Sequence, residues 1–432
     1  MAILLLPVDQ TIFTNFDDAL ELEVATPVKG DLVLTPQTKF ETWAVFAYNS
    51  VVQRTDTNGL LEHRMYYDCI AGSGVPPGRR GRRLDISHRY VCLAISVDGL
   101  IWERPILNVF AVNGSKSNNI LLEDSGVSVF YDPIATSDTE RWKMVCSNSA
   151  YSSEDGLHWK KLPFVPIATD DTKPTAYYDP STKKYAIVVR RDLDAPSNKS
   201  SDVVRYIGRC DTTNLSDWQE STPDGCPAIF GVDDVDPDHV DIYTNAWTPY
   251  PSIEDPSVHL YFPSYYSHFT SDAPYGFGND GLLDVRLLVS RDGYNLTYVP
   301  GARNSRSPFV SLGINKCGAS TPSIKNGWCN PYNGIEQHTA ADTSAIYMAS
   351  GYISSNDDTE VYLYASAQPF THGGDAGKHL WGQNTGIRVV RIQIVSTFIF
   401  CFSRIGENDI KISTTGTLAK TRIRLCESTV PI

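Results

Sequence analysis

Carboxylates stand at or just ahead of a series of short apolar segments: Glu41, Asp124, Asp171, Asp236 or Asp241, and Glu336. Segments packed side by side and starting at one end would bring these acids together. Carboxyls crowded into one cleft push one pKa upward. The protonated member can then donate to a leaving oxygen while the ionised one attacks or activates water, which is the chemistry that breaks a bond between sugars. Glu41, Asp171 and Glu336 are the first choice for such a catalytic set, and it needs no organic cofactor.

Other side chains could hold a substrate beside those acids. The triplet Arg190-Arg191-Asp192 follows a run of Val and Ile. An Arg there could clamp a carboxylate or sulfate, or hold a catalytic carboxylate ionised; a surface turn is the equal alternative. Successive strand residues point to opposite faces, so the two arginines cannot both face one site. Tyr243, Trp247, Tyr250, Tyr261, Tyr265, Tyr266 and His268 concentrate rings in one stretch. Singly each ring reads as packing; as a set facing one end they read as a platform for sugar faces. The expected substrate-binding residues are therefore Arg190, Arg191, Asp192, Asp241, Tyr243, Trp247, Tyr266, His268 and His338. The segment from Asp233 to Asp241 holds five acids and His239. Calcium would suit its oxygens, but the spacing and Gly of an EF-hand are missing, so a solvated loop is expected and no metal is assigned.

The elements that must position these groups are marked by turns. Ser-x-Asp-Gly-x-x-Trp occurs as Ser96, Asp98, Gly99, Trp102 and as Ser153, Asp155, Gly156, Trp159, with a degenerate copy at Ser290, Asp292, Gly293. Gly takes φ > 0 and Asp bonds its own backbone, so Asp98, Asp155 and Asp292 are read as shaping turns, with the Trp plugging neighbouring units. Between the copies strands and turns alternate: 127–131, 141–147 and 150–159 in one unit, then 175–178, 184–190 and 203–210 in the next. Similar units cover 43–96, 241–290 and, more weakly, 345–394. Five units of three to four strands predict an all-β, five-bladed β-propeller over 12–394, followed by a short diverged C-terminal strand and tail over 395–432. A large β-sandwich would not produce a fixed period. Residues 16–22 are expected to form a strand that could close the ring.

Composition agrees, since 23 Tyr, 8 Trp, 30 Gly and 26 Pro against 4 Met in 432 residues favour short strands over helices. A net charge of −13 argues against a nucleic-acid partner, and the apolar run 395–402 is too short to cross a bilayer as a helix. A carbohydrate is the expected partner, with no membrane and no nucleic acid, and the chain is expected to be a monomer. Nine cysteines fit neither a zinc pattern nor a disulfide framework: Cys69, Cys92 and Cys146 read as free thiols in apolar strands, and only Cys317 and Cys329 look pairable. Residues 1–7 have no basic leader, so export is unsupported, and the sequons at Asn113, Asn198, Asn214 and Asn295 would matter only in a secreted protein.

The residues Glu41-x-Trp43, Tyr48-x-Ser50-Val51, Met65-Tyr66-Tyr67, Leu93-Ala94-x-Ser96-x-Asp98-Gly99-x-x-Trp102-x-x-Pro105 and Asn118-Asn119-Ile120 carry a resemblance. Over about 12–394 the chain resembles the five-bladed propeller glycoside hydrolases of the invertase-like family 32 and the arabinanase-like family 43. The resemblance implies hydrolysis of glycosidic bonds in an oligo- or polysaccharide by acidic residues on successive inner strands. The family motifs Trp-x-Asn-Asp-Pro-Asn-Gly, Glu-Cys and Arg-Asp-Pro are absent, and Arg191-Asp192 is followed by Leu193. A divergent member of the superfamily is thus the expectation, with a non-catalytic carbohydrate-binding propeller as the alternative. The turns are similar to sialidase Asp boxes, although here Asp and Gly are adjacent. An interaction propeller is the weakest reading, because the WD40 and kelch pairs are missing.

Overall fold

The computed structural model describes residues 27–55, 61–73, 85–147, 149–163, 174–194, 203–216, 225–237, 239–249, 258–268, 281–299, 306–313, 323–324, 328–329, 342, 344–369, 372 and 385–393. After β1 (Val28–Leu34), blade one consists of β2 (Ala44–Thr55), β3 (Leu61–Ser73), β4 (Asp85–Ser96) and β5 (Ile120–Leu122). Blade two is β6 (Ser128–Tyr131), β7 (Trp142–Cys146), β8 (Ser149–Ser153) and β9 (Lys160–Lys161). Blade three is β10 (Thr175–Asp179), β11 (Lys184–Asp194), β12 (Val203–Thr212) and β13 (Ala228–Phe230). In blade four, β14 (Val240–Pro249) pairs β15 (His259–His268), whose other edge takes β16 (Gly281–Val285) and β17 (Leu288–Ser290), with β18 (Thr297–Tyr298) outermost. A small pair, β19 (Ser323–Ile324) and β20 (Trp328–Cys329), stands apart from the blades. Blade five is β21 (Ala345–Met348), β22 (Ile353–Ser354), β23 (Glu360–Gln368) and β24 (Gly386–Gln393), and β1 adds to it antiparallel to β24.

Period-two alternation turns each sheet into a two-sided layer, and the layers pack in a closed circuit. On β3, Tyr66 faces Trp142 and Met144 of blade two, while Met65 and Tyr67 face Ile353 and Tyr364 of blade five. Blades two and three meet through Val145, Ala150, Ile187 and Cys210, and blades three and four through Tyr177, Val188, Ile242 and Tyr261. Phe262, Val285, Ile346 and Leu363 fill the layer between blades four and five. The chain is an all-β, five-bladed β-propeller, as its turn chemistry predicts. Strand β1 pairs with β24 at the edge of blade five; residues 16–22, expected to close the ring, lie outside the described residues, as does the 395–432 tail.

The inner strands β2, β6, β10, β14 and β21 touch in sequence around the axis. A belt of hydrogen bonds joins each to the next. Val129 N donates to Ser50 Oγ (2.8 Å), Ala176 N to Ser128 Oγ (2.9 Å) and the Thr175 hydroxyl to Asn245 O (3.4 Å). Gly351 N donates to Thr248 Oγ1 (3.1 Å), and Val51 N to Ser350 O (2.8 Å) closes the circuit. The Ser350 hydroxyl also reaches Thr175 Oγ1 on blade three, at 3.4 Å.

The three Asp-Gly turns are superposable in their bonding. In each, Ser Oγ accepts from the Gly N–H at 2.8–2.9 Å, Asp Oδ1 accepts two backbone N–H groups at 2.8 Å, and Gly has φ of 74°. Burial works against the Asp155 charge, but bonds from His158, Leu157 and Ser153 outweigh it and bring its pKa to about 2. Neighbouring strands hold the turns: Arg64 Nη1 and Tyr66 Oη donate to the carbonyls of Asp155 and Gly156, and Tyr364 Oη donates to that of Gly99. Trp102 packs edge-on against Tyr364, and Trp159 against Tyr66.

The cysteine expectation is corrected. Cys69 bonds Cys92 across β3 and β4, and Cys210 on β12 bonds Cys226 (Cα–Cα 5.9 and 4.8 Å). Each lies diagonally or across a loop from its mate, a proximity that only strand register reveals: Cys69 is opposite Tyr90 and Cys92 opposite Tyr67. Cys146 is buried and belongs to neither disulfide. Cys317 lies outside the described residues.

Candidate functional site

Third strands run parallel to inner strands, because each is two antiparallel steps away. The Asp-Gly turns therefore sit at one end of the propeller, and the starts of β2, β14 and β21 open at the other. At that second end rings converge from three blades: Phe46 lies 5.4 Å from Tyr347, and Tyr243 lies 6.1 Å from Tyr347, 5.8 Å from Tyr266 and 4.0 Å from His372. A bulge in β14 between Ile242 and Thr244 adds Tyr243 to the strand and aims it into this collar. Tyr347 Oη and His372 Nδ1 are hydrogen-bonded at 2.8 Å, and Tyr266 Oη donates to His372 O (3.0 Å). Burial, then the neighbouring Tyr243 and Tyr266, raise the Tyr347 pKa well above its ordinary value, so its hydroxyl keeps its proton.

Charged groups border the collar on its blade-three side. Asp241 Oδ2 accepts from Arg205 Nη1 (2.8 Å), and its Oδ1 is 3.0 Å from His268 Nε2. Arg205 is directly opposite Asp192 on the β11–β12 ladder and lies over the Tyr266 ring at 5.6 Å. Arg190 bonds Asp192 (3.1 Å) and lies over Tyr243 at 5.6 Å. Desolvation opposes the Arg205 charge, yet Asp241 and Asp192 outweigh it and raise its pKa. The Asp241 side chain is 6% exposed and the Asp192 side chain 30%, so Asp192 is the more open carboxylate.

The structure thus brings together Arg190, Asp192, Asp241, Tyr243, Tyr266 and His268. It sends Arg191 to the other face of β11, where Nη1 bonds Cys226 O. Trp247 lies flat on Tyr177 (3.5 Å, 2°) and donates to His259 Nδ1 (3.0 Å), joining blades three and four. Glu41 has no exposed surface. Its Oε1 accepts from Tyr67 Oη (2.7 Å) and Arg104 Nε (2.9 Å), and its Oε2 from the N–H groups of Gln37 and Thr38 (2.9 and 3.0 Å). Asp124 accepts from Tyr151 Oη (2.9 Å). Asp233 and Asp236 both pair with Arg306, and among the described residues no group of three or more His, Cys, Asp or Glu is arranged to hold a metal ion. Asp171, Tyr250, Glu336 and His338 lie outside the described residues.

Sequence reasoning missed Arg205, Phe46, Tyr347 and His372. Arg205 could be found only by placing β12 against β11, because its partner Asp192 is set by ladder register. The three rings sit in segments that read as ordinary apolar strands or loops.

No family model and no curated protein matches this chain. Among solved structures it is similar to BT0996 in complex with RGII, at 13% identity over 91% of this protein and 96% of that one, TM-score 0.48. It is also similar to a glycosyl hydrolase from Bacteroides ovatus (12%, 88% and 96%, TM-score 0.44). A third likeness is to the α-L-arabinofuranosidase Arb93A from Fusarium graminearum (13%, 85% and 98%, TM-score 0.42). Likenesses of this size carry no argument about chemistry, so the propeller rests on its own five blades and the site on its own residues.

Proposed function

We propose that this chain is a carbohydrate-active propeller that hydrolyses glycosidic bonds of an oligo- or polysaccharide at the collar end. The observation that carries the reading is Asp241, bonded to Arg205 and His268 beside the rings of Tyr243 and Tyr266. With His268 donating, both Asp241 oxygens are acceptors, which suits a carboxylate that steers or takes a proton, or faces developing positive charge. Asp192, more open and only a strand away, is the second carboxylate. Asp171 and Glu336, which precede β10 and β21 in the sequence, complete the proposed acidic set. Glu41 is proposed as an anchor for residues 35–41, its four bonds leaving it no substrate-facing atom.

The test is reducing-sugar release from fructans, arabinans, xylans and sulfated or uronate-rich glycans. Asp241→Asn should lower release by about 10²-fold or more. Glu41→Gln should lower the melting temperature and leave turnover per folded molecule unchanged. A second reading is favoured by one observation, the pairing of both Asp192 and Asp241 with arginines. On it the collar binds a glycan without cutting it; retention on an immobilised glycan with no release by wild type would establish that reading and end the catalytic one.

A further inference from the structure

Two disulfides and four sequons play no part in the proposed chemistry, and they bear on each other. Structural disulfides persist in secretory and extracellular compartments and are rare in a reducing cytosol. In the secretory pathway an exposed Asn-x-Ser/Thr is an acceptor for an N-linked glycan. Asn198 lies outside the described residues. Asn214 and Asn295 are engaged in turns: Asn214 Oδ1 accepts from Ser216 N (3.1 Å), and Asn295 Nδ2 donates to Asp292 Oδ2 (2.6 Å) inside an Asp-Gly turn.

Asn113 differs from both. Val112 and Ser115 exchange backbone hydrogen bonds of 2.9 and 3.1 Å around Asn113 and Gly114, whose φ values of 50° and 79° make a two-residue hairpin turn of the primed type. Phe110 and Val112 rest on the core between blades one and five, and Asn118 Nδ2 donates to Phe110 O (3.0 Å), so the base of the turn is held. Residues 113–117 are exposed, and a Cβ built at Gly114 meets nothing within 4 Å. Among the described residues the Asn113 side chain makes no hydrogen bond, so Nδ2 is not otherwise engaged.

We propose that Asn113 is an N-glycosylation site and that the chain matures in an oxidising secretory compartment. The co-substrate is a lipid-diphosphate-linked oligosaccharide. Asn113 Nδ2 forms a bond to C1 of its first sugar, the C1–O bond to the diphosphate breaks, Nδ2 loses one proton and the lipid diphosphate leaves. The glycan would stand off blade one, whereas Arg190, Asp192, Arg205 and Asp241 belong to blades three and four.

The full chain, directed into the yeast secretory pathway, tests this. Secreted wild type should lose mass on treatment with an N-glycan-cleaving endoglycosidase, and its peptide carrying Asn113 should be modified. Asn113→Gln and Ser115→Ala should each remove that modification, Ser115→Thr should keep it, and Asn113→Gln should retain the wild-type melting temperature and both disulfides. An unmodified Asn113 peptide from secreted, oxidised protein would overturn the site. A chain retained in the cell with Cys69, Cys92, Cys210 and Cys226 reduced would overturn the compartment and the site together.

Discussion

His63 is fully buried on β3 with neither ring nitrogen hydrogen-bonded among the described residues, and His259 accepts from Trp247 while its Nε2 stays 3.9 Å from Asp179. Burial lowers both pKa values, and the charges of Asp98 and Asp179 offset this only in part. A histidine held below its ordinary value binds fewer protons folded than unfolded, so its contribution is complete above about pH 6.5 and is lost as pH falls below it. The melting temperature should drop between about pH 7 and about pH 5, and His63→Leu should flatten that slope; an unchanged slope would assign the acid sensitivity elsewhere. At this scale sequence carried as far as strand alternation reaches. It separates Arg190 and Asp192 from Arg191, because neighbours on a strand face opposite ways. It does not separate Tyr243 from Trp247, whose destinations depend on one bulge and on what β10 presents across the gap.

Blades were legible because turn chemistry is local: Asp, Gly and Ser within four positions specify the same bonds wherever they occur. Contacts made across a ladder were not, and the cysteines show why. A separation of 23 residues between Cys69 and Cys92 conveys nothing until β3 and β4 are aligned, after which their Cα atoms stand 5.9 Å apart. Replacing both with Ala should cost about 2–4 kcal/mol, read as a lower denaturant midpoint with the β circular-dichroism signal intact. No loss would mean that the two strands are held by their ladder alone.

At Gly351 the ring is sensitive to a single methyl. Its φ is 88°, and an added Cβ would fall 2.0 Å from the Val51 carbonyl of blade one, a backbone atom that cannot turn aside. Gly351→Ala should cost more than about 2 kcal/mol and lower the melting temperature, whereas alanine at the open Gly114 should cost less. The pairing of β1 with β24 was not legible, since no turn motif marks 28–34 and only ladder register places it. The Ser350 hydroxyl, reaching past its neighbours to Thr175 on blade three, has a further consequence. It spans the axis from blade five to blade three, a cross-brace between blades that are not neighbours in the ring. A glycan bound at the collar, as proposed, would meet this brace if it were threaded along the axis. Under the proposed function, short products should therefore compete with substrate for the collar, read as product inhibition of reducing-sugar release.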